Sequence, residues 1–570
     1  MRKKTFRSIF IISLLFTFLI WYQCLTDTNY QFQSFTRALF QKELATNTIS
    51  LHYTLKDPSA YQLEGMPVSF GGVSTDVKKT FENIASYQDT LSKFDLHTLS
   101  SENKLTHQIL SSYLETAARG CEYLLYQEPF SPVIGIHAQL PLLLSEFAFY
   151  DSGDIDTYLE LLGETPNYFA NLIDFEKEKA ATGLFMPDYQ VDAVISFCQS
   201  FLDMGTDNYL FSSFEERLKQ VDGLTSEKMK SYLTLNQAQV EHKVFPAYEN
   251  LIGQLRLLKG SGTNEMGLCY LPKGKEYYEH LTHQQTGIRA SVPTLQAMAE
   301  TQISQDAKDV QKYFAKDVEA SSDLLLENVT SILDSLKKKS ASAFPQIPQV
   351  NTQVKFVPSD MEDFLSPAFY MIPPIDTFSE NVIYINKAQT PGGISLFTTL
   401  AHEGYPGHLY QTVYFASKNP DPIRSILDYG GYVEGWATYA EMMSYYMAPM
   451  KRSEALLFQK NASIVLGVYA LADMGIHYDG WSLEDTINHF ASYGLDDPDS
   501  VKEIYELIIG TPGNYLKYYL GYVSIYQLKK EIAWEMGDDF SQKKFHEALL
   551  DVGPAPFDIV EEYVRKEFHL

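Results

Sequence analysis

The chain has 570 residues, 45% of them hydrophobic and 21% charged, with a formal net charge of −27 and a pI near 4.9. Length alone allows about three domains, and the composition is that of a folded globular protein, not a disordered one. The acidic balance excludes nucleic acid as a partner, because such binding needs Lys and Arg to neutralise phosphates, and no basic stripe follows the N-terminus.

In chain order, residues 1–26 come first. Arg2, Lys3, Lys4 and Arg7 precede an apolar run from Ile9 to Leu25. A basic stretch before an apolar one reads as an export signal. Trp21-Tyr22-Gln23 offers no small-residue cleavage site, and bulky Tyr22 and Gln23 argue against a lipid on Cys24. The run, about 17 residues, is at the lower limit for crossing a bilayer. The reading is an uncleaved N-terminal membrane anchor, with the body extracytoplasmic by the positive-inside rule; a cleaved, secreted form is the alternative. Beyond it only Cys121, Cys198 and Cys269 remain. They are too few for a disulfide framework and lack the paired spacing of a thiolate zinc site, which leaves them as small core hydrophobes.

Residues 32–334 read as helix after helix. Apolar positions recur at three- and four-residue spacing in 106–126, 154–180 and 226–259, with Pro and Gly clusters at 128–132 and 184–187 between them. The run from Lys337 to Pro345 marks a break. It either separates a helical region, 27–340, from a metal-binding catalytic region, 341–570, or is a loop within one continuous body. Short β-type stretches at 354–357, 369–372 and 382–385 predict a small sheet. The strand 382–385, ending at Asn386, is expected to offer its backbone edge to an extended peptide. Helical pattern returns at Ile394 and continues to the end. The expected fold is mainly α, a large helical body with a small β-sheet beside the metal-binding helix.

The chemistry concentrates in Ala401-His402-Glu403-Gly404-Tyr405-Pro406-Gly407-His408. A zinc hydrolase needs two neutral imidazoles on one metal with a carboxylate beside them, usually from His at i and i+4 of one helix. Here the second His stands at i+6, about 120° away on a straight helix. A regular helix cannot pass through Pro406. The spacing therefore predicts a helix ending near Gly404, a bulge, and a new helical turn from Pro406 that swings His408 back to the metal. A third ligand is expected from the following helix: Glu434, in Glu434-Gly435-Trp436-Ala437-Thr438-Tyr439-Ala440-Glu441. His402, His408 and Glu434 would leave one open position for water, as catalytic zinc requires. Glu441, seven residues on and on the same face, would hydrogen-bond a liganding imidazole. Asp473-Met474-Gly475-Ile476-His477 and the tyrosine-rich stretch from Pro512 to Tyr522 complete the candidate set, since His or Tyr can donate to a developing oxyanion.

These segments together resemble the bacterial family catalogued as domain of unknown function 885, whose members are described as metallopeptidase-like and often exported or lipid-anchored. The His-Glu-x-x-Pro-Gly-His motif followed by Gln matches His402, Glu403, Pro406, Gly407, His408 and Gln411. Glu-Gly-Trp-Ala-x-Tyr-x-Glu matches Glu434, Gly435, Trp436, Ala437, Tyr439 and Glu441. Asp-x-Gly-x-His matches Asp473, Gly475 and His477, and Pro-Gly-x-x-x-x-Tyr-x-x-Gly matches Pro512, Gly513, Tyr518 and Gly521. Weaker likeness, as at Leu271-Pro272-Lys273-Gly274 and Tyr277-Tyr278, extends over nearly the whole body. The chain departs at Tyr469, where the family tends to carry Arg, and at Leu409-Tyr410, where it often has His-Leu. The resemblance implies a fold like that of zinc peptidases with a Glu third ligand, with Gln411 and Asp473 supporting the ligands.

The expected function is a zinc-dependent peptidase acting on peptides outside the cytoplasm. Zn2+ sits on His402, His408 and Glu434; Glu403 is the general base, and Tyr518 and His477 are the oxyanion donors, with Tyr519 and Tyr522 as alternatives. A surface binding protein with a vestigial metal site and a metal-dependent hydrolase of non-peptide amides are the rival readings. An intact Glu403 beside an open metal position speaks against the first.

Overall fold

In the computed structural model, residues 27–314, 328–357, 362, 366–390 and 392–570 are described. The anchor segment and Cys24 lie outside them. The chain is mainly helical, with a three-stranded sheet. The periodic stretches form helices Ser101–Gly120, Ser152–Thr182, and Ser226–Gln239 continuing through a π turn into Phe245–Leu258. Side-chain caps fix several starts: Ser100 accepts from Asn103 N, and Asp151 and Asp154 form a reciprocal capping box that satisfies otherwise orphaned amides.

All three expected strands exist, shifted by a few residues: β1 Asn351–Phe356, β2 Ala368–Met371 and β3 Glu380–Ile385. The order is β1-β3-β2, with β1 parallel and β2 antiparallel to β3. This corrects the expectation for 382–385. Paired on both sides, β3 has no free edge, and β2 and β1 carry the outer edges instead.

The break near 340 does not divide the core. Phe32, Phe40 and Leu110 share one apolar cluster with Leu400, Trp436, Leu520 and Val564. A second cluster lies under helices 152–182, 188–203 and 245–258. Among the described residues, Arg452–Asp479 is long and apolar enough to cross a membrane, but half of its apolar window is buried in the protein. Its length is explained by packing against helices Val292–Phe314 and Asn514–Met536. Cys121 and Cys198 are buried free thiols and Cys269 is half-buried and free.

Candidate metal centre

His402 and Glu403 end the helix Gly393–Glu403, which Gly404 caps. The chain reverses through a cis Tyr405–Pro406 bond and Gly407, and the next helix is His408–Ser417. The bulge is where the spacing placed it. The helix restarts two residues later than expected, because Pro406 and Gly407 are used in the reversal. A Cβ at Gly407 would fall 1.8 Å from the His402 carbonyl oxygen, so only glycine lets the two helix ends approach this closely. Trp436 Nε1 donates to the Pro406 carbonyl at 2.9 Å and pins the turn. The two imidazoles thereby stand with ring centroids 4.8 Å apart, nearly perpendicular at 82°.

Glu434 comes from helix Gly430–Ser444, which packs against Asn514–Met536 at glycine contacts. A Cβ on Gly435 would lie 2.5 Å from the Gly521 carbonyl carbon, and one on Gly521 would lie 2.0 Å from the Gly431 oxygen. Those glycines bring Glu434 and Tyr518 to one place. Glu434 Oε2 lies 3.3 Å from His408 Nε2 and 3.6 Å from His402 Nε2. One ligand atom from each of His402, His408 and Glu434 falls within 4.8 Å of the others. Glu441 Oε2 contacts His402 Nδ1 at 3.2 Å, the orienting bond expected of it.

The donor set fits a divalent transition metal, two imidazoles and one carboxylate being the ligands of many catalytic zinc sites. The local electrostatics call for a positive charge between these groups. Glu434 Oε2 is buried, and among the described residues the two imidazoles approach it as ion-pair partners. Burial pushes the Glu434 carboxyl up, yet the two imidazoles outweigh it and hold it well below the usual carboxylate range. Burial pulls His402 down, but Glu434 and Glu441 outweigh that and hold it well above the ordinary histidine value.

Glu403 Oε2 accepts from the Tyr370 amide of β2 at 2.9 Å. Alternate residues of an antiparallel edge strand point their amides away from the sheet. Tyr370 N is such a group, so the free edge of β2 faces the Glu403 carboxylate. This contact was invisible in the sequence, since a backbone amide leaves no side-chain signal. Tyr518 is the tyrosine that faces the cluster: burial first, then the charges of Glu434 and Glu403, push its phenol up.

The remaining candidates lie elsewhere. His477 is fully buried; its Nδ1 accepts from Leu268 N at 3.2 Å and its Nε2 donates to Ile508 O at 3.0 Å. With both ring nitrogens engaged it has no donor for an oxyanion, and burial holds it down at about 4. Asp473 bonds to neither His402 nor His408. Its carboxylate accepts from Tyr278 Oη at 2.5 Å and from Gly513 N at 2.9 Å, pinning the turn that starts the Tyr518 helix. Tyr519 is fully buried beside Gly467, and the Tyr522 hydroxyl accepts from Gln459 Nε2 at 3.2 Å in the core. Gln411 sits one turn beyond His408, its Nε2 buried without a hydrogen-bond partner among the described residues.

Residues 74–564 match the family model described as "Bacterial protein of unknown function (DUF885)". Among solved structures the chain is similar to one from Colwellia psychrerythraea described as a candidate lipoprotein: 20% identity, TM-score 0.83, covering 95% of this chain and 99% of that one. Another, a candidate lipoprotein of unknown function from Shewanella oneidensis, aligns at 18% identity and TM-score 0.63, covering 93% and 99%. At these identities the likeness is one of fold. No curated protein matches the sequence.

Proposed function

The chain belongs to the bacterial family of unknown function DUF885, and we propose that it is a zinc-dependent hydrolase, specifically a peptidase working outside the cytoplasm. The observation that carries this reading is the convergence of ligand atoms of His402, His408 and Glu434 within 4.8 Å, next in sequence to the Glu403 carboxylate, which the Tyr370 amide holds. A structural site has no use for that neighbouring Glu403.

Zinc held by His402, His408 and Glu434 would supply a Lewis acid that polarises a carbonyl and makes water acidic. Glu403 takes the proton of the attacking water and passes it to the leaving amine, its orientation fixed by the Tyr370 amide. Tyr518 donates its hydroxyl proton as a hydrogen bond to the oxygen that gains charge; a raised phenol stays protonated and able to donate. Glu441 keeps His402 in one tautomer and one orientation. An extended peptide pairs with the outer edge of β2, next to Glu403, and not with β3. The extracytoplasmic setting rests on the basic-then-apolar order of residues 1–26; the candidate-lipoprotein descriptions of the two structural neighbours point the same way.

The test is digestion of a mixed oligopeptide library by the purified chain, read by mass spectrometry. Cleavage should stop with a chelator, return with zinc, and fall by about two orders of magnitude or more in Glu403→Gln. Cleavage that persists at full rate in Glu403→Gln would overturn the role of that residue.

A further inference from the structure

Lys517 precedes Tyr518 in helix Asn514–Met536 and is half-buried. Two contacts fix where its ammonium stands. Its stem runs past Gly430, where an added Cβ would lie 3.4 Å from Lys517 Cδ, and Gly430 is one helical turn before Glu434. Its Nζ lies over the Tyr518 ring, 5.2 Å from the centroid. The centroid of that ring is in turn 6.4 Å from that of the His402 imidazole. The two spans together place the ammonium no more than about 12 Å from the imidazole, which is about three residues of extended chain.

No carboxylate among the described residues stands within ion-pair distance of Lys517. Asp428 is the acid that feels its charge: burial pushes that carboxyl up, Lys517 pulls it down, and Glu434 raises it again. An ammonium partly out of water with no counter-ion is costly, and the Tyr518 face offsets only part of that cost. Nor is Lys517 the by-product of a basic surface, since 72 acidic residues stand against 45 basic ones. The groups around the imidazoles are themselves acidic, with Glu403, Glu434 and Glu441 all raising His402. A carboxylate brought by a ligand is therefore the missing partner of Lys517. A peptide carries one at a set backbone distance from its last carbonyls: its free C-terminus.

We propose that Lys517 holds the free C-terminal carboxylate of a peptide whose scissile carbonyl lies at the metal centre, which makes the chain an exopeptidase that trims peptides from that end. The proposal rests on the peptidase reading for its substrate. Water adds to the carbonyl carbon, the C–N bond breaks, and both water protons end on the released amine, whose fragment is at most about three residues long. The experiment is calorimetric titration of the Glu403→Gln chain in excess zinc, so that no ligand is consumed. The probes are acetyl-tetraalanine, its C-terminal amide, and acetyl-Ala-Asp-Ala-Ala-amide, which carries its carboxylate on a side chain. The free acid should bind about ten-fold more tightly than either amide. Adding Lys517→Met, which keeps the stem beside Gly430 without the charge, should make acid and amide equal, and Lys517→Arg should keep the preference. Structural damage alone would weaken all three probes and leave their ratio unchanged. Equal binding of acid and amide, a preference that survives Lys517→Met, or no binding of the acid would overturn the proposal. So would an Asp peptide as tight as the acid, which would make Lys517 a reader of acidic side chains. Digestion of acetyl-blocked peptides by the unsubstituted chain judges the peptidase reading separately: no cleavage beside a Lys517-dependent preference would sink that reading and leave the carboxylate site standing.

Discussion

Replacing Gly435 by Ala puts the helix contact behind the candidate metal centre to a test whose sign is informative. In a helix interior, Gly→Ala by itself stabilises by about 1 kcal/mol. Here the new Cβ would meet Gly521 backbone at 2.5 Å for the carbonyl carbon and 2.6 Å for Cα. Neither atom can rotate away. Reaching ordinary van der Waals separation requires the helices to part by about 1 Å, and overpacking of this kind costs roughly 1–3 kcal/mol or more. The net expectation is destabilisation. Because Glu434 precedes Gly435 and Tyr518 lies one turn before Gly521, the displacement also reaches the site, where a shift of about 1 Å can cost about 100-fold in rate. The assay is urea unfolding together with zinc affinity by chelator competition. Gly253→Ala is the control: it is helical and exposed, nothing lies within 4 Å of its added Cβ, and it should gain roughly 0.5–1 kcal/mol. Equal stabilisation at both positions would refute the close crossing.

Glu441→Gln should lower zinc affinity by about 10–100-fold with the fold retained, measured by the same competition, because it weakens the bond that orients His402; unchanged affinity would detach Glu441 from the site. Tyr518→Phe should reduce kcat by about 100-fold or more at full zinc occupancy, whereas Tyr519→Phe should not; the reverse pattern would reassign the donor. Burial pushes the Asp473 carboxyl up to about 7. A carboxyl raised in the folded state binds its proton more tightly there than in the unfolded chain, so its contribution is full below the ordinary carboxylate range and is lost as pH rises through about 7. Asp473→Asn should therefore shrink the difference in urea midpoint between about pH 5 and about pH 8; an unaltered difference would show that Asp473 does not titrate in that window.

The sequence made the candidate cluster legible because metal chemistry restricts residue type. The proposed ligands His402, His408 and Glu434 would each be needed as themselves, and Pro406 forced the break that i+6 spacing demands. The helical body and all three strands were readable from periodicity and β-branched content. Sheet order was not, since the alternation within 382–385 is the same for a central strand as for an edge, and only the parallel pairing of β1 with β3 hides that edge. His477 misled for a related reason: a motif histidine can serve as an oxyanion donor, and only the fold shows that backbone groups of Leu268 and Ile508 occupy its ring. Gly435 and Gly521 were visible as motif glycines inside helices, but the backbone contact that requires them is a tertiary fact.

The central claim is that His402, His408 and Glu434 form one zinc site, with Glu403 beside it but not a ligand. It is tested most directly by elemental analysis of the purified chain and two variants after identical dialysis. The unsubstituted chain should hold about one zinc and Glu403→Gln the same, whereas Glu434→Gln, having lost a charged ligand, should hold markedly less and regain it only in excess zinc. Zinc lost from Glu403→Gln but retained by Glu434→Gln, or stoichiometric iron in place of zinc, would contradict the assignment.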